Sequence, residues 1–376
     1  MSWTTSEIDS LILLPDNGCW VNVISAVKID EERIVTACQQ NDYRNRTVIL
    51  KINELEGNVN KYASLQASPS YNMFSNVEVI HNKIYVTNIR YTSIELEHFC
   101  LCIFAITICN RRNEWSCIHK RNFRNGGPAL QDNKIVVADN YLYIFENNNN
   151  NNFGRYNIIQ NVWETLPPIP IPTQEPIRSY TVFRDAVRCG NYIFLLGIMS
   201  RVDYQILIEV FDIIIQQWKI MNKPPPMPLR RRNHATVAVN DRYIVVIGGY
   251  NEEDIIASDS QILDTFTNIW YISECNMSTE RHSCGVTVSN GHDPQLTVIG
   301  GWNRNKEDLC SVETISLYRL QPKLLPHWQK ELHQYYCTQV KKRVMLMLQA
   351  VRRGDFPIPK DILMDHIFPY ACSPLD

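Results

Sequence analysis

Two pairs of adjacent glycines stand where chemistry could be done. One closes the apolar run Arg242-Tyr-Ile-Val-Val-Ile-Gly-Gly-Tyr-Asn251, and the other closes Gln295-Leu-Thr-Val-Ile-Gly-Gly-Trp-Asn303. Glycines after a β-branched strand can cradle a phosphate, but neither GxGxxG nor GxxxxGK[ST] can be read here, so nucleotide chemistry is not indicated. The nine histidines are scattered. His234 and His282 recur at similar points of two repeats, as residues at the starts of strands do and as metal ligands rarely do. The twelve cysteines include no CxxC spacing, and Cys100 with Cys102 is the one close pair. No structural zinc, redox motif or disulfide framework follows from them, and most are expected as buried thiols. There is no GxSxG elbow. No metal, cofactor or catalytic residue is therefore expected.

Arginine and tyrosine are the more informative residues, because together they combine contact area with directed hydrogen bonds. They collect in Arg178, Arg201 to Tyr204, Arg230 to His234, Tyr250 to Asp254, Arg281-His282 and Trp302 to Lys306, with Arg90-Tyr91 earlier. The elements that position them repeat along the chain. Short apolar runs centre on Val35, Tyr85, Tyr143, Phe194, Val245 and Val298. The second glycine pair follows the first by 52 residues, and a period near 50 is the mark of a repeat architecture. In three repeats an aromatic or apolar residue stands seven places before a tryptophan, at Trp163, Trp218 and Trp270, and Trp115 fits less closely. The stretches RRRNHATVAV and TERHSCGVTV then lead back to the next apolar run.

This order of landmarks resembles the kelch repeat, in which a di-glycine ends one strand, an aromatic residue and a tryptophan mark later strands, and each repeat forms one blade. The resemblance spans about residues 10 to 325 and implies an all-β, six-bladed β-propeller over residues 1–326. Its blades are expected near 20–70, 71–119, 120–168, 169–228, 229–278 and 279–326, with the ring closed by residues 10–15 or by the competing segment 323–328. Strands of β-branched and aromatic residues, separated by turn-rich gaps, support the same fold class independently. The tryptophans are read as packing residues. Six consecutive asparagines, Asn147 to Asn152, should form a solvated loop.

From about His327 the apolar spacing changes to steps of three and four: Trp328, Leu332, Tyr336, Val340, Val344, Met347 and Val351. A short α-helical C-terminal extension is expected over 327–376. Its segment IPKDILMDHIFPY resembles the opening of an F-box, and carried over by position Pro359, Ile362, Leu363, Ile367 and Phe368 would face a Skp1-like adaptor.

A net charge of −2 gives no basic footprint for nucleic acid. MSWTTSEIDS carries no export pattern and no membrane-length apolar run occurs, so a cytoplasmic chain without membrane or nucleic-acid partners is expected. The leading reading is a non-enzymatic interaction propeller that binds a protein through its rim at Arg178, Arg201, Tyr204, Arg232, His234, Tyr250, Arg281, Trp302 and Arg304. Arginine there would suit an acidic or phosphorylated segment. Alternatives are a substrate-recognition adaptor of a cullin-type ubiquitin ligase and, further off, a sugar-acid isomerase.

Overall fold

The computed structural model describes residues 4–7, 23–28, 33–39, 45–53, 58–64, 77–81, 83–93, 98–107, 116–123, 134–145, 153–170, 185–199, 206–220, 222–239, 241–273, 275–288, 295–305, 307, 309, 311–316, 320 and 338–353; before residue 77 it covers the backbone alone. Among the described residues the fold is mostly β with one helix. After β1 (Thr4–Glu7) come β2 (Val23–Lys28), β3 (Arg33–Gln39), β4 (Asn45–Asn53) and β5 (Asn58–Ser64), which form one antiparallel sheet in chain order. β6 (Val77–Ile80), β7 (Lys83–Ser93), β8 (His98–Thr107) and β9 (Ser116–Phe123) form a second. The third holds β10 (Lys134–Ala138), β11 (Tyr141–Phe145), β12 (Phe153–Asn157) and β13 (Val162–Thr165). The fourth holds β14 (Asp185–Cys189), β15 (Tyr192–Met199), β16 (Ile206–Asp212) and β17 (Gln217–Trp218). The fifth holds β18 (Ala235–Val239), β19 (Tyr243–Ile247), β20 (Ser260–Asp264) and β21 (Ile269–Ile272). In the sixth, β22 (Gly285–Val288), β23 (Gln295–Ile299) and β24 (Ser311–Ser316) are joined at the outer edge by β1, with Thr4 opposite Thr314 and Glu7 opposite Ser311.

Four consecutive sheets, the third to the sixth, are arranged as blades of a propeller: β10 lies against β14, β14 against β18 and β18 against β22. The physical cause is that both faces of each sheet are apolar. β19 and β20 are buried at every position, a pattern that needs a neighbour on each side. Between the third and fourth sheets the filling is aromatic. Phe153 stacks on Phe145 at 4.4 Å, meets Phe211 edge-on at 4.7 Å and lies 5.3 Å from Trp218.

The tryptophan landmark has a second role beyond packing. Trp218 Nε1 donates to the Pro167 carbonyl at 2.9 Å, and Trp270 Nε1 donates to the Pro225 carbonyl at the same distance. Each outer strand is thereby latched to the proline-rich segment that leaves the preceding blade. The turn before each tryptophan strand is closed by an Asn or Asp six residues earlier. Asn157 accepts from Ile159 and Gln160, Asp212 from Ile214 and Ile215, and Asp264 from Phe266, which lets Asn161, Gln216 and Asn268 adopt positive φ.

β9 runs from Ser116 to Phe123, and Trp163, Trp218 and Trp270 lie within the outer strands of their own sheets. Arg90 and Tyr91, expected in a rim loop, sit within β7 opposite Cys100 and Phe99. The proposed closing segments 10–15 and 323–328 lie outside the described residues, and the strand found on β24 is β1. In the extension, α1 (Thr338–Arg353) ends immediately before Gly354, with Val344 buried, Met347 and Val351 half-buried, and Arg352 and Arg353 in the last turn, where cations suit the helix dipole. Pro359, Ile362, Leu363, Ile367 and Phe368 lie outside the described residues. Among the described residues no helix is long and apolar enough to cross a membrane.

Candidate functional site, the rim over the fifth and sixth sheets

The glycine pairs build this rim instead of binding an anion. Gly248 and Gly249 have φ of 65° and 87°, and Gly300 and Gly301 have φ of 63° and 90°, in the left-handed region open to glycine. Space is equally restrictive: a Cβ on Gly248 would lie 2.4 Å from the Arg281 carbonyl oxygen, and one on Gly249 would lie 2.6 Å from that of Arg232. One amide of each pair is already used. Gly249 N donates to the Arg281 carbonyl at 2.9 Å and Gly300 N to the Ser311 carbonyl at 3.1 Å.

Beneath each glycine pair sits a buried arginine. Arg231 Nη1 donates to the Gly248 carbonyl at 3.1 Å, and its Nη2 reaches both oxygens of Asp259 at 2.5 Å. Arg281 repeats this arrangement on the Gly300 carbonyl at 2.8 Å and pairs with the Glu313 carboxylate, with both side chains fully enclosed. Arg281 therefore belongs under the rim and not on its surface. His234 is likewise buried, with Nδ1 3.2 Å from the Arg231 carbonyl, and burial pushes its imidazole down to about 4. These two expected contact residues are corrected to supports. The correspondence of His234 with His282 is corrected as well. Matching Arg231 with Arg281 aligns His282 with Arg232, and both take part in bridges to the residue after the glycines, Arg232 with Tyr250 and His282 with Trp302.

Those four residues form the site: Arg232 is exposed, Tyr250 and Trp302 are half-buried, and His282 is buried between them. The Arg232 guanidinium lies 5.1 Å from the Tyr250 ring centre and pairs with Asp254. Tyr250 reaches across to the next sheet, its hydroxyl 2.7 Å from His282 Nε2 and its ring 4.3 Å from the imidazole. Trp302 meets His282 perpendicularly at 5.7 Å. Burial first, and Arg232 second, push His282 down to about 4, so the ring is neutral near pH 7. Nε2 is held by the Tyr250 hydroxyl and Nδ1 faces Ser283 Oγ at 3.1 Å, one nitrogen donating and the other accepting in the neutral ring. Both nitrogens are thus engaged, and neither is left to move a proton on a bound molecule. The geometry suits contact by ring faces, a guanidinium and hydrogen bonds.

Asparagine shapes the loops around it, a role the sequence reading did not give it. Asn251 Oδ1 accepts from the amides of Glu253 and Ile255, and Asn303 Oδ1 accepts from those of Asn305 and Glu307. The signal was present as the shared order Gly-Gly-aromatic-Asn. Arg304 is exposed on the second loop. Arg178, Arg201 and Tyr204 lie outside the described residues.

With this repeat geometry in view, the comparisons fall in one class. The chain is 27% identical over 143 residues to an F-box/kelch-repeat protein of Arabidopsis thaliana, covering 38% of each chain. It is 28% identical over 163 residues to a kelch repeat and BTB domain-containing protein of cowpox virus, strain Brighton Red, covering 39% of this chain and 27% of that one. A counterpart in a second cowpox strain matches at the same identity. The chain thus spans well under half the length of the curated relatives it matches. No family model matches it.

Proposed function

We propose that this protein is a non-enzymatic interaction module, a closed six-bladed kelch-type propeller that holds a protein partner on the rim over its fifth and sixth blades. The ring is supported by the innermost strands: β2 lies against both β22 and β6, and β6 lies against β10, which joins the remaining two sheets to the run of four. The observation that carries the binding role is the cluster Arg232, Tyr250, His282 and Trp302. The group gathers a guanidinium, a phenol, an imidazole and an indole at one place on the rim, with Arg232 exposed and Tyr250 and Trp302 half-buried, over a base of buried arginines and glycines. A photo-crosslinking residue at Asn305, beside the cluster, should capture the partner in native cells, and the same residue at Ile214, in the turn before β17, should not. Capture from Ile214 alone would move the site away from this rim.

A second reading, the substrate-recognition adaptor of a cullin-type ligase, draws on the plant relative that is named for both an F-box and kelch repeats. In that reading the rim holds the substrate while the extension beginning with α1, and Pro359, Ile362, Leu363, Ile367 and Phe368 beyond it, docks a Skp1-like adaptor. Affinity purification with and without residues 327–376 separates the two. Recovery of a Skp1-like protein and a cullin only with the tail supports the adaptor.

A further inference from the structure

We infer that the segment taken by this rim is basic, a stretch of a protein partner that brings lysine or arginine side chains onto the half-buried Tyr250 and Trp302 rings. The inference rests on the proposed rim site and specifies its occupant. Its basis is the charge that the described loops of the fifth and sixth sheets present. Arg231 is cancelled beneath the surface by Asp259, and Arg281 by Glu313. What remains at the surface is Glu252, Glu253, Asp254, Glu280 and Glu307 against Arg230, Arg232 and Arg304, five carboxylates to three guanidiniums. His282 is neutral near pH 7 and does not alter that balance.

Two of the three guanidiniums already face carboxylates of the same loops: Arg230 meets Glu252 at 3.1 Å, and Arg232 meets Asp254. These pairs are half-exposed, and such pairs hold weakly, so an incoming acid could part them. Parting them does not change the sum. Whichever way the side chains turn, an acidic or phosphorylated segment meets a net negative rim, while a basic one meets complementary charge and ring faces suited to cations. The sequence favoured acid because it shows arginines without their partners. The structure supplies the partners.

The test uses the full chain and three fluorescent 15-residue peptides on one Gly/Ser/Tyr framework, carrying four arginines, four aspartates or four phosphoserines, at low ionic strength. The arginine peptide should bind about tenfold or more tightly than either acidic peptide and weaken steeply with added salt. Glu253→Arg with Glu280→Arg should cost about fivefold or more, Glu253→Gln with Glu280→Gln a smaller factor, and Arg304→Glu should strengthen binding. None of these three side chains has a hydrogen-bond partner among the described residues, so melting temperatures should stay close to the parent. Tighter binding of the aspartate or phosphoserine peptide, no binding of the arginine peptide, or indifference to the charge reversals would overturn the inference. Crosslinking from Asn305 to an acidic partner segment would sink this inference alone and leave the rim site standing.

Discussion

Tyr250 shows how a single side chain serves two ends here, joining one blade to the next through buried His282 while leaving part of its ring at the surface. Such residues are tuned by burial, and the tuning is measurable. His234 and His282 are pushed down to about 4 from 6.5, and Glu78, on β6, is pushed up to about 8 from 4.5, by burial first and by the Asp185 charge second. Between pH 6.5 and 4 the unfolded chain binds the histidine protons that the fold refuses, so stability falls as pH drops through that window. Glu78 acts in the opposite sense. The fold keeps its proton where the unfolded chain has lost it, so its contribution is full below 4.5 and is lost as pH rises through 8. Two histidines outnumber one glutamate on the acid side, and the melting temperature should peak near pH 6.5. Glu78→Gln should flatten the alkaline limb and His234→Gln the acid limb; limbs unchanged in both variants would contradict these assignments. At the same scale, Trp270→Ala removes interblade contact and the hydrogen bond to Pro225, and should cost about 2 to 4 kcal/mol in urea denaturation. Trp270→Phe keeps the ring contact but not the bond, and should lose about 1 kcal/mol.

The strand ends at Gly248–Gly249 and Gly300–Gly301 are where element and site meet. Gly249→Val places a branched side chain at positive φ against the Arg232 and His234 backbones, and should destabilise by about 3 kcal/mol or more, or prevent folding. A melting temperature equal to that of the parent would show that the left-handed turn is not required. These strands and glycines were legible in the sequence because backbone geometry permits few residue types there. The tryptophan strands were legible for a similar reason, since one large ring is needed per blade. The buried arginines were not. Arg231 and Arg281 read as surface residues, because their carboxylate partners Asp259 and Glu313 lie 28 and 32 residues away and only folding joins them. His234 was paired with His282 as a strand start in two repeats, and the register of the rim needed the carbonyl that each arginine holds. Asn251 and Asn303 were overlooked for want of a role in the strand pattern, although their side chains fold both loops. Of the rim cluster, Arg232, Tyr250 and Trp302 were read from loop position as parts of one rim, whereas His282 was read as a strand entry without its bond to Tyr250.

At the scale of the whole molecule, the proposed ring depends on its seam. β1 comes from the start of the chain and supplies the outer strand of a sheet otherwise made from its end, so the two ends of the repeat array are held together by β1 and β24. Deleting residues 1–9 should expose the β24 edge, speed amide exchange across β23 and β24, and lower the melting temperature, while β18 to β20 keep more of their protection. Uniform loss across all sheets would mean that the array melts as one unit, and no loss would mean that β1 does not close the ring.

The central claim, that the open cluster on this rim is a contact surface and not part of the core, is tested most directly by measuring partner affinity and melting temperature on the same protein, the fourfold variant Arg232→Ala, Tyr250→Ala, Trp302→Ala and Arg304→Ala. With the crosslinked partner as ligand, the account predicts a loss of affinity of about 1 to 3 kcal/mol or more, given that a few aromatic and arginine residues usually dominate an interface. The melting temperature should fall by far less than it does for Gly249→Val. Undiminished binding, or a collapse in stability that matches the loss of affinity, would contradict it.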